Sequence, residues 1–199
     1  MFIIGILASH TGTITQAVMD GCRDGLIAGA VGVVISNNGD SLVLDRARRN
    51  GIPAVHLSRR THPDPAELDE AIANSLKEHA VDVVLLAGYL CKVGPVTLGT
   101  FTGRILNTHP ALLPRHGGQG MFGTAVYEAV LASSDSETGA TVHVVTDDYD
   151  SGPILSQKAI AIEPGDDVAS LQAKVQRIER VLIIETLARA ARDELALES

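Results

Sequence analysis

The sequence predicts a single-domain α/β protein built on a doubly wound, mostly parallel β-sheet. Short β-branched runs alternate with longer helical stretches through the first half, the pattern of parallel strands joined by crossover helices. Residues 81–87 form a run apolar on both faces, as a central strand covered by helices on each side must be. The length of 199 residues, with 45% hydrophobic and 20% charged side chains, suits one soluble domain with a substantial core.

Residues 2–8 read as the first strand, and the lack of any basic residue before Arg23 separates this opening from a signal peptide. A helix is expected from Thr13 to about residue 25, with Thr13 as its N-cap and Gln16, three residues on, completing a capping box. Residues 31–35 form a second strand, ended by the turn cluster Ser36-Asn37-Asn38-Gly39-Asp40. A helix over 45–50 stops at Gly51, with Pro53 just beyond, and Arg46, Arg48 and Arg49 read as its solvated face. Residues 54–57 make a short third strand, 65–79 a helix and 81–87 the fourth strand. A strand over 104–108 runs into His109-Pro110, and a glycine-rich loop over 117–123 leads to a helix over 124–132. Residues 140–145 and 154–162 are strand-like, and a helix from 168 to about 195 closes the chain. No repeat or linker divides it, so residues 1–199 are expected to form one domain.

Charge and composition argue against several classes of function. The formal charge is −8, with 24 acidic against 16 basic side chains and no basic patch, so nucleic acid and anionic membranes are poor partners. Cys22 and Cys91 form no C-x-x-C pair, which points to a reducing compartment, and no apolar run approaches a membrane span. A cytoplasmic protein is expected. His56, His62, His79, His116 and His143 lack H-E-x-x-H or C-x-x-C companions, and Asp147, Asp148 and Asp150 do not follow calcium-loop spacing. No metal is expected. Neither Ser9 nor Ser151 lies in G-x-S-x-G, and the missing G-x-G-x-x-G fingerprint disfavours a nicotinamide cofactor.

Open α/β sheets bind ligands beyond the carboxyl ends of their strands, so the residues that follow strands carry the chemistry. Ser9-His10-Thr11-Gly12-Thr13-Ile14 leads from the first strand into a helix whose free N–H groups suit a phosphate. By itself it is equally an ordinary strand-to-helix turn. Asn107 and His109 share one side of an extended chain and pair an amide donor with an imidazole that titrates near neutrality. Such a pair can stabilise a carbonyl oxygen as it becomes an oxyanion and move a proton, although a capping Asn beside a surface His has the same spacing. The third segment, Asp147-Asp148-Tyr149-Asp150-Ser151-Gly152-Pro153, is also compatible with plain turn chemistry.

In combination these segments resemble the folate-dependent formyltransferases, almost end to end. The likeness rests most on Leu106-Asn107-Thr108-His109-Pro110-Ala111-Leu112-Leu113-Pro114, on Gly139-Ala140-Thr141-Val142-His143, and on Asp150-Ser151-Gly152-Pro153-Ile154-Leu155-Ser156-Gln157. It implies transfer of a formyl group from 10-formyltetrahydrofolate, the donor substrate, to a primary amine, with glycinamide ribonucleotide of purine biosynthesis as the expected acceptor. The implied catalytic trio is Asn107, His109 and Asp150. Asn107 would donate to the developing oxyanion, His109 would stabilise it as imidazolium, and Asp150 would raise the His109 pKa and help relay the amine proton. The family binds its pterin at the segment matched by Tyr89, Leu90, Cys91, Lys92 and Val93 and along the loop to Asp150. It binds the acceptor phosphate at Gly12, Thr13 and Ile14, and the acceptor sugar through Glu179. The N-terminal half would thus form the acceptor side and the C-terminal half the folate side. The implied partners are these small molecules only, with the chain a monomer or homodimer.

Departures from the family pattern gather on the acceptor side. The phosphate loop usually reads Ser-Gly-x-Gly-Ser-Asn, so His10 replaces a glycine, Thr13 keeps a hydroxyl and Ile14 removes an amide. Cys91 stands where arginine is common, Arg180 where histidine is usual, and Ile183-Ile184 where Tyr-Pro occurs. A formyltransferase serving another amine is therefore the alternative, followed by a formyltetrahydrofolate hydrolase, whose family form carries a regulatory domain ahead of the first strand. A binding protein without catalysis would not need the intact trio. Formylation of a charged tRNA would need a basic surface and a further domain.

Overall fold

The computed structural model describes residues 1–195 and 197. The β-branched runs become strands β1 (Phe2–Ala8), β2 (Gly29–Ser36), β3 (Ala54–His56), β4 (Val83–Leu86), β5 (Ile105–His109), β6 (Glu137–Val144) and β7 (Ile154–Ala161). The helices are α1 (Thr13–Arg23), α2 (Leu42–Arg49), α3 (Pro65–Glu78), α4 (Pro95–Thr100), α5 (Thr124–Ala132) and α6 (Val168–Ala191). The strands pair in the order β3-β2-β1-β4-β5-β6-β7, parallel from β3 to β5 and antiparallel at β5–β6 and β6–β7. The α/β sheet expected from the alternating pattern is the sheet observed.

Alternate residues of each central strand feed two cores. Ile4, Ile6, Val34, Val83 and Leu85 pack with Val18, Leu44, Val130 and Ile183 of α1, α2, α5 and α6. Leu7, Val33, Val84, Leu86 and Ile105 pack on the other face with Ile72 and Leu76 of α3 and with Phe101 beyond α4. Burial of each such side chain contributes roughly 1.5–3 kcal/mol relative to exposure. Among the described residues no helix is long and apolar enough to cross a membrane.

Helix boundaries depend on local chemistry, and here the structure departs from expectation. Thr13 is not the N-cap of α1; Gly12 is, with φ +70° and no side-chain cap, so the expected capping box is absent. The cause is packing: a Cβ at Gly12 would run into Val43 of α2. Gln16 turns instead to Asp20, at 3.1 Å. True side-chain caps occur at α3, where Asp64 accepts from Ala66 and Glu67, and at α6, where Asp167 and Ser170 form a capping box. The short α4 has no counterpart in the sequence pattern. Its start is organised from a distance by buried Asp69, which accepts from the backbone of Val96 (2.7 Å) and Thr97 (3.1 Å). β4 is shorter than residues 81–87, β6 begins ahead of residue 140, and α6 ends at Ala191 rather than near 195.

From β1 the chain winds outward to β3, then crosses back to lay β4 on the other side of β1. The strand order reverses between β1 and β4, which opens a crevice beyond their carboxyl ends. Two contacts join the loops there: the Ser9 N–H donates to the Gly88 carbonyl (3.1 Å), and the Leu90 N–H donates to Ser9 Oγ (2.9 Å). Ser9 is buried and committed to this brace, so it is not a free nucleophile.

Candidate active site

Strand β5 delivers the central residues to this crevice. Thr108 points to the α6 face and donates to Glu179, while Asn107 and His109 project to the opposite face, as strand alternation dictates. The loop behind β5 is fixed by Thr141 and Gln157. The Leu113 N–H donates to Thr141 Oγ1 (3.1 Å), which donates to the Ala111 carbonyl (2.6 Å), and Gln157 Nε2 donates to the Leu113 carbonyl (2.9 Å).

Asp150 arrives from the loop between β6 and β7 with φ +52°, a left-handed conformation that few residues other than glycine adopt. Its Oδ2 accepts from the Gly118 N–H at 2.9 Å and lies 3.5 Å from His109 Nδ1; its Oδ1 lies 3.4 Å from His143 Nε2. Burial acts to raise the Asp150 pKa. His143, His109 and the Gly118 N–H outweigh it and hold the carboxylate below its ordinary range.

His143 is a member of this centre to which sequence reasoning gave no role. It sits on β6 directly opposite Asn107, and Asn107 Nδ2 meets His143 Nε2 at 3.1 Å. Its Nδ1 bonds the Val144 carbonyl at 2.9 Å. A carbonyl only accepts, so Nδ1 carries a proton there, and Nε2 lies between Asn107 Nδ2 and Asp150 Oδ1. One hydrogen of the Asn107 amide remains for a ligand. The missed signal lay in the antiparallel register of β5 and β6, which the sequence pattern did not reveal.

The same rule assigns His109. Its Nε2 bonds the His116 carbonyl at 2.8 Å and must carry a proton there, which leaves Nδ1, facing Asp150, as the nitrogen that gains and loses one. Burial lowers the His109 pKa, with His143 and His116 adding to the effect; Asp150 and the His116 carbonyl oppose it. The net direction is down. Asp150 acts on His109 in the expected, raising direction, and burial of the ring, only 3% exposed, outweighs it.

The acceptor-side and pterin-side residues line two adjoining recesses. The larger, about 630 Å³, is bordered by His10, Gly12, Thr13, Ile14, Tyr89, Leu90, Cys91, Asn107, His109, Asp150 and Glu179. The smaller includes Lys92 and Val93 and shares Tyr89, Cys91, Asn107, Tyr149 and Asp150 as common wall. Each residue that the resemblance assigns to catalysis, folate or acceptor thus borders one or other of these adjoining recesses, and Gln172 and Gln176 of α6 border the larger. Arg46 is not purely a solvated side chain: its Nε donates to the Thr11 carbonyl (2.7 Å), bracing the loop ahead of α1. Burial raises Glu179 to about 7, against the Thr108 hydrogen bond and Arg180. Lys92 pairs with Asp147 at 2.8 Å on the rim. Ser151 serves the turn, donating to the Asp148 carbonyl at 3.1 Å. Among the described residues no group of three or more His, Cys, Asp or Glu side chains is arranged to hold a metal ion.

A crevice at the strand-order reversal, with a carboxylate, two imidazoles and an amide converging on one point, belongs to an enzyme that manages an oxygen and a proton together. The chain belongs to the formyl transferase family, whose sequence pattern matches residues 3–187. It is 35% identical to phosphoribosylglycinamide formyltransferase of Haemophilus influenzae over 176 residues, covering 88% of this chain and 81% of that one. It is 37% identical to the chloroplastic phosphoribosylglycinamide formyltransferase of Arabidopsis thaliana over 186 residues, 92% of this chain but only 63% of that longer one. The fold is similar to the crystal structure of glycinamide ribonucleotide transformylase 1 from Symbiobacterium toebii, with a TM-score of 0.91 and 39% identity over 100% of this chain and 92% of that one.

Proposed function

We propose that this chain transfers the formyl group of 10-formyltetrahydrofolate to the amine of glycinamide ribonucleotide, a step of purine biosynthesis, in the cytoplasm and as a monomer or homodimer. The observation that carries the reading is that Asn107 and Asp150 stand on the wall common to the two recesses, with His109 beside Asp150 on the larger one. A donor in one recess and an acceptor in the other would meet at that wall, and holding two reactants together supplies much of the acceleration.

The smaller recess suits a pterin, which is flat and carries hydrogen-bonding groups along one edge. Leu86, Val93 and Val145 give it apolar sides, and the 146–150 loop supplies polar groups. The donor brings the formyl carbon; this chain's residues do the rest. Asn107 offers its second amide hydrogen to the formyl oxygen as negative charge gathers there. His109 Nδ1 takes up the proton of the attacking amine, Asp150 stabilises the imidazolium that results, and the ring gives that proton to the folate nitrogen as its bond to the formyl carbon breaks and tetrahydrofolate leaves. The N-terminal half supplies the phosphate end of the acceptor site through Gly12, Thr13 and Ile14 at the start of α1, where backbone N–H groups lack helical partners. Glu179, arriving from α6, faces the acceptor sugar. The 89–93 segment and the 145–150 loop form the folate side.

The test is tetrahydrofolate release from 10-formyltetrahydrofolate with and without glycinamide ribonucleotide. Release that depends on the acceptor supports the proposal. Equal release without it would make the chain a hydrolase, and binding of folate with no release in either case would point to another amine.

A further inference from the structure

The carbonyl that fixes the His109 ring belongs to His116, and His116 is itself held in an unusual way. Its backbone lies at φ +54°, and Gly117, Gly118 and Gly120 follow with no side chains to secure the chain. His116 is therefore the last residue before this run whose side chain can be tied down. Its Nε2 lies 2.7 Å from Asp135 Oδ2, in the turn between α5 and β6. Asp135 is fixed in turn: Arg115 Nη1 donates to its Oδ1 at 2.7 Å, and its own N–H donates to Ser133 Oγ at 3.2 Å. The ring and the carboxylate are 17% and 20% exposed, sheltered enough for the pair to resist solvent competition.

We propose that the His116–Asp135 pair is a positioning anchor for His109: it holds the His116 carbonyl against Nε2 and so keeps Nδ1 directed at Asp150 and the reacting centre. The inference rests on the reading of His109 as the proton-accepting group. Neither anchor residue borders either recess. Without the anchor the glycine run lets the carbonyl drift, Nε2 loses its fixed acceptor, and the imidazole is free to exchange tautomers or rotate.

The experiment combines steady-state kinetics with nitrogen-15 NMR of the histidine rings in the full chain. Asp135→Ala removes the acceptor. His116→Gly removes the ring yet adopts positive φ without strain, so the fold is preserved. Both variants should lose about ten- to a hundredfold in kcat, the cost of a slightly misplaced group, with little change in KM for either substrate. The double variant should lose no more than either single one, because the two residues act as a unit. Asp135→Asn, which keeps an oxygen for the His116 ring, should recover most of the turnover. In the parent protein His109 should show the Nε2–H tautomer, and in Asp135→Ala a mixture. An unchanged tautomer with parental kcat in Asp135→Ala and His116→Gly would overturn the anchor. The NMR readout needs no turnover, so it judges the anchor even if His109→Ala stays active and the catalytic reading fails.

Discussion

His109 Nδ1 lies 3.5 Å from Asp150 Oδ2, too far for a full hydrogen bond and close enough for strong electrostatic coupling. That spacing leaves Nδ1 available to an incoming amine while keeping a negative charge beside the proton it would collect. Burial shifts the ring toward its neutral form, the form a base requires.

Replacing His109→Ala should lower kcat by about a hundred- to ten-thousandfold, the usual range for a positioned acid–base group. Thermal unfolding and circular dichroism check that the sheet persists. Near-parental turnover would remove His109 from the mechanism.

Asp150→Asn keeps the shape, and Asn tolerates the left-handed backbone at this position. Asp150 is the main influence raising His109, so its loss should move the His109 titration further down. NMR titration of the ring reads this directly. A midpoint that stays put or rises would show that the carboxylate does not act on His109.

Ile14→Asn should lower KM for the phosphorylated acceptor by about tenfold, the value of one added charge-assisted hydrogen bond. Ile14 is half-buried against the core and borders the larger recess, so the new amide lies where the start of α1 faces a ligand. An unchanged KM would place the phosphate elsewhere.

Glu179 gives a stability prediction. Its folded-state pKa is raised from 4.5 to about 7, chiefly by burial. The neutral carboxyl is the form that folding favours, so its contribution is fully present below 4.5 and is lost as pH rises through about 7. The window spans about 3 kcal/mol at 1.36 kcal/mol per pH unit. Glu179→Gln keeps a partner for Thr108 and never ionises. Urea midpoints of the two proteins should therefore diverge between pH 4.5 and 7, the Gln variant being the more stable at neutral pH. Parallel curves would contradict the assignment.

Much of this was legible in the sequence because it depends on short-range patterns. Apolar alternation locates the strands, and the two-residue spacing of Asn107 and His109 puts them on one face. What stayed hidden depends on long-range pairing. The partnership of His143 with Asn107 follows from β5–β6 register, 36 residues apart, and Asp69 caps α4 from 27 and 28 residues away. The N-cap of α1 was misread because Val43 forbids a side chain at Gly12, a constraint that lies in tertiary packing. The burial that outweighs Asp150 at His109 stayed hidden for a related reason: it is set by tertiary packing around the ring.

The central claim is direct transfer between two bound molecules, and a single-turnover reaction with isotopically labelled formyl donor tests it most directly. Enzyme in excess is mixed with labelled 10-formyltetrahydrofolate and glycinamide ribonucleotide, quenched, and the label located by mass spectrometry. One labelled formamide on the acceptor is expected for each tetrahydrofolate released, with the same product forming about a hundred- to ten-thousandfold more slowly in His109→Ala. Label recovered as free formate, with the acceptor unmodified, would contradict it.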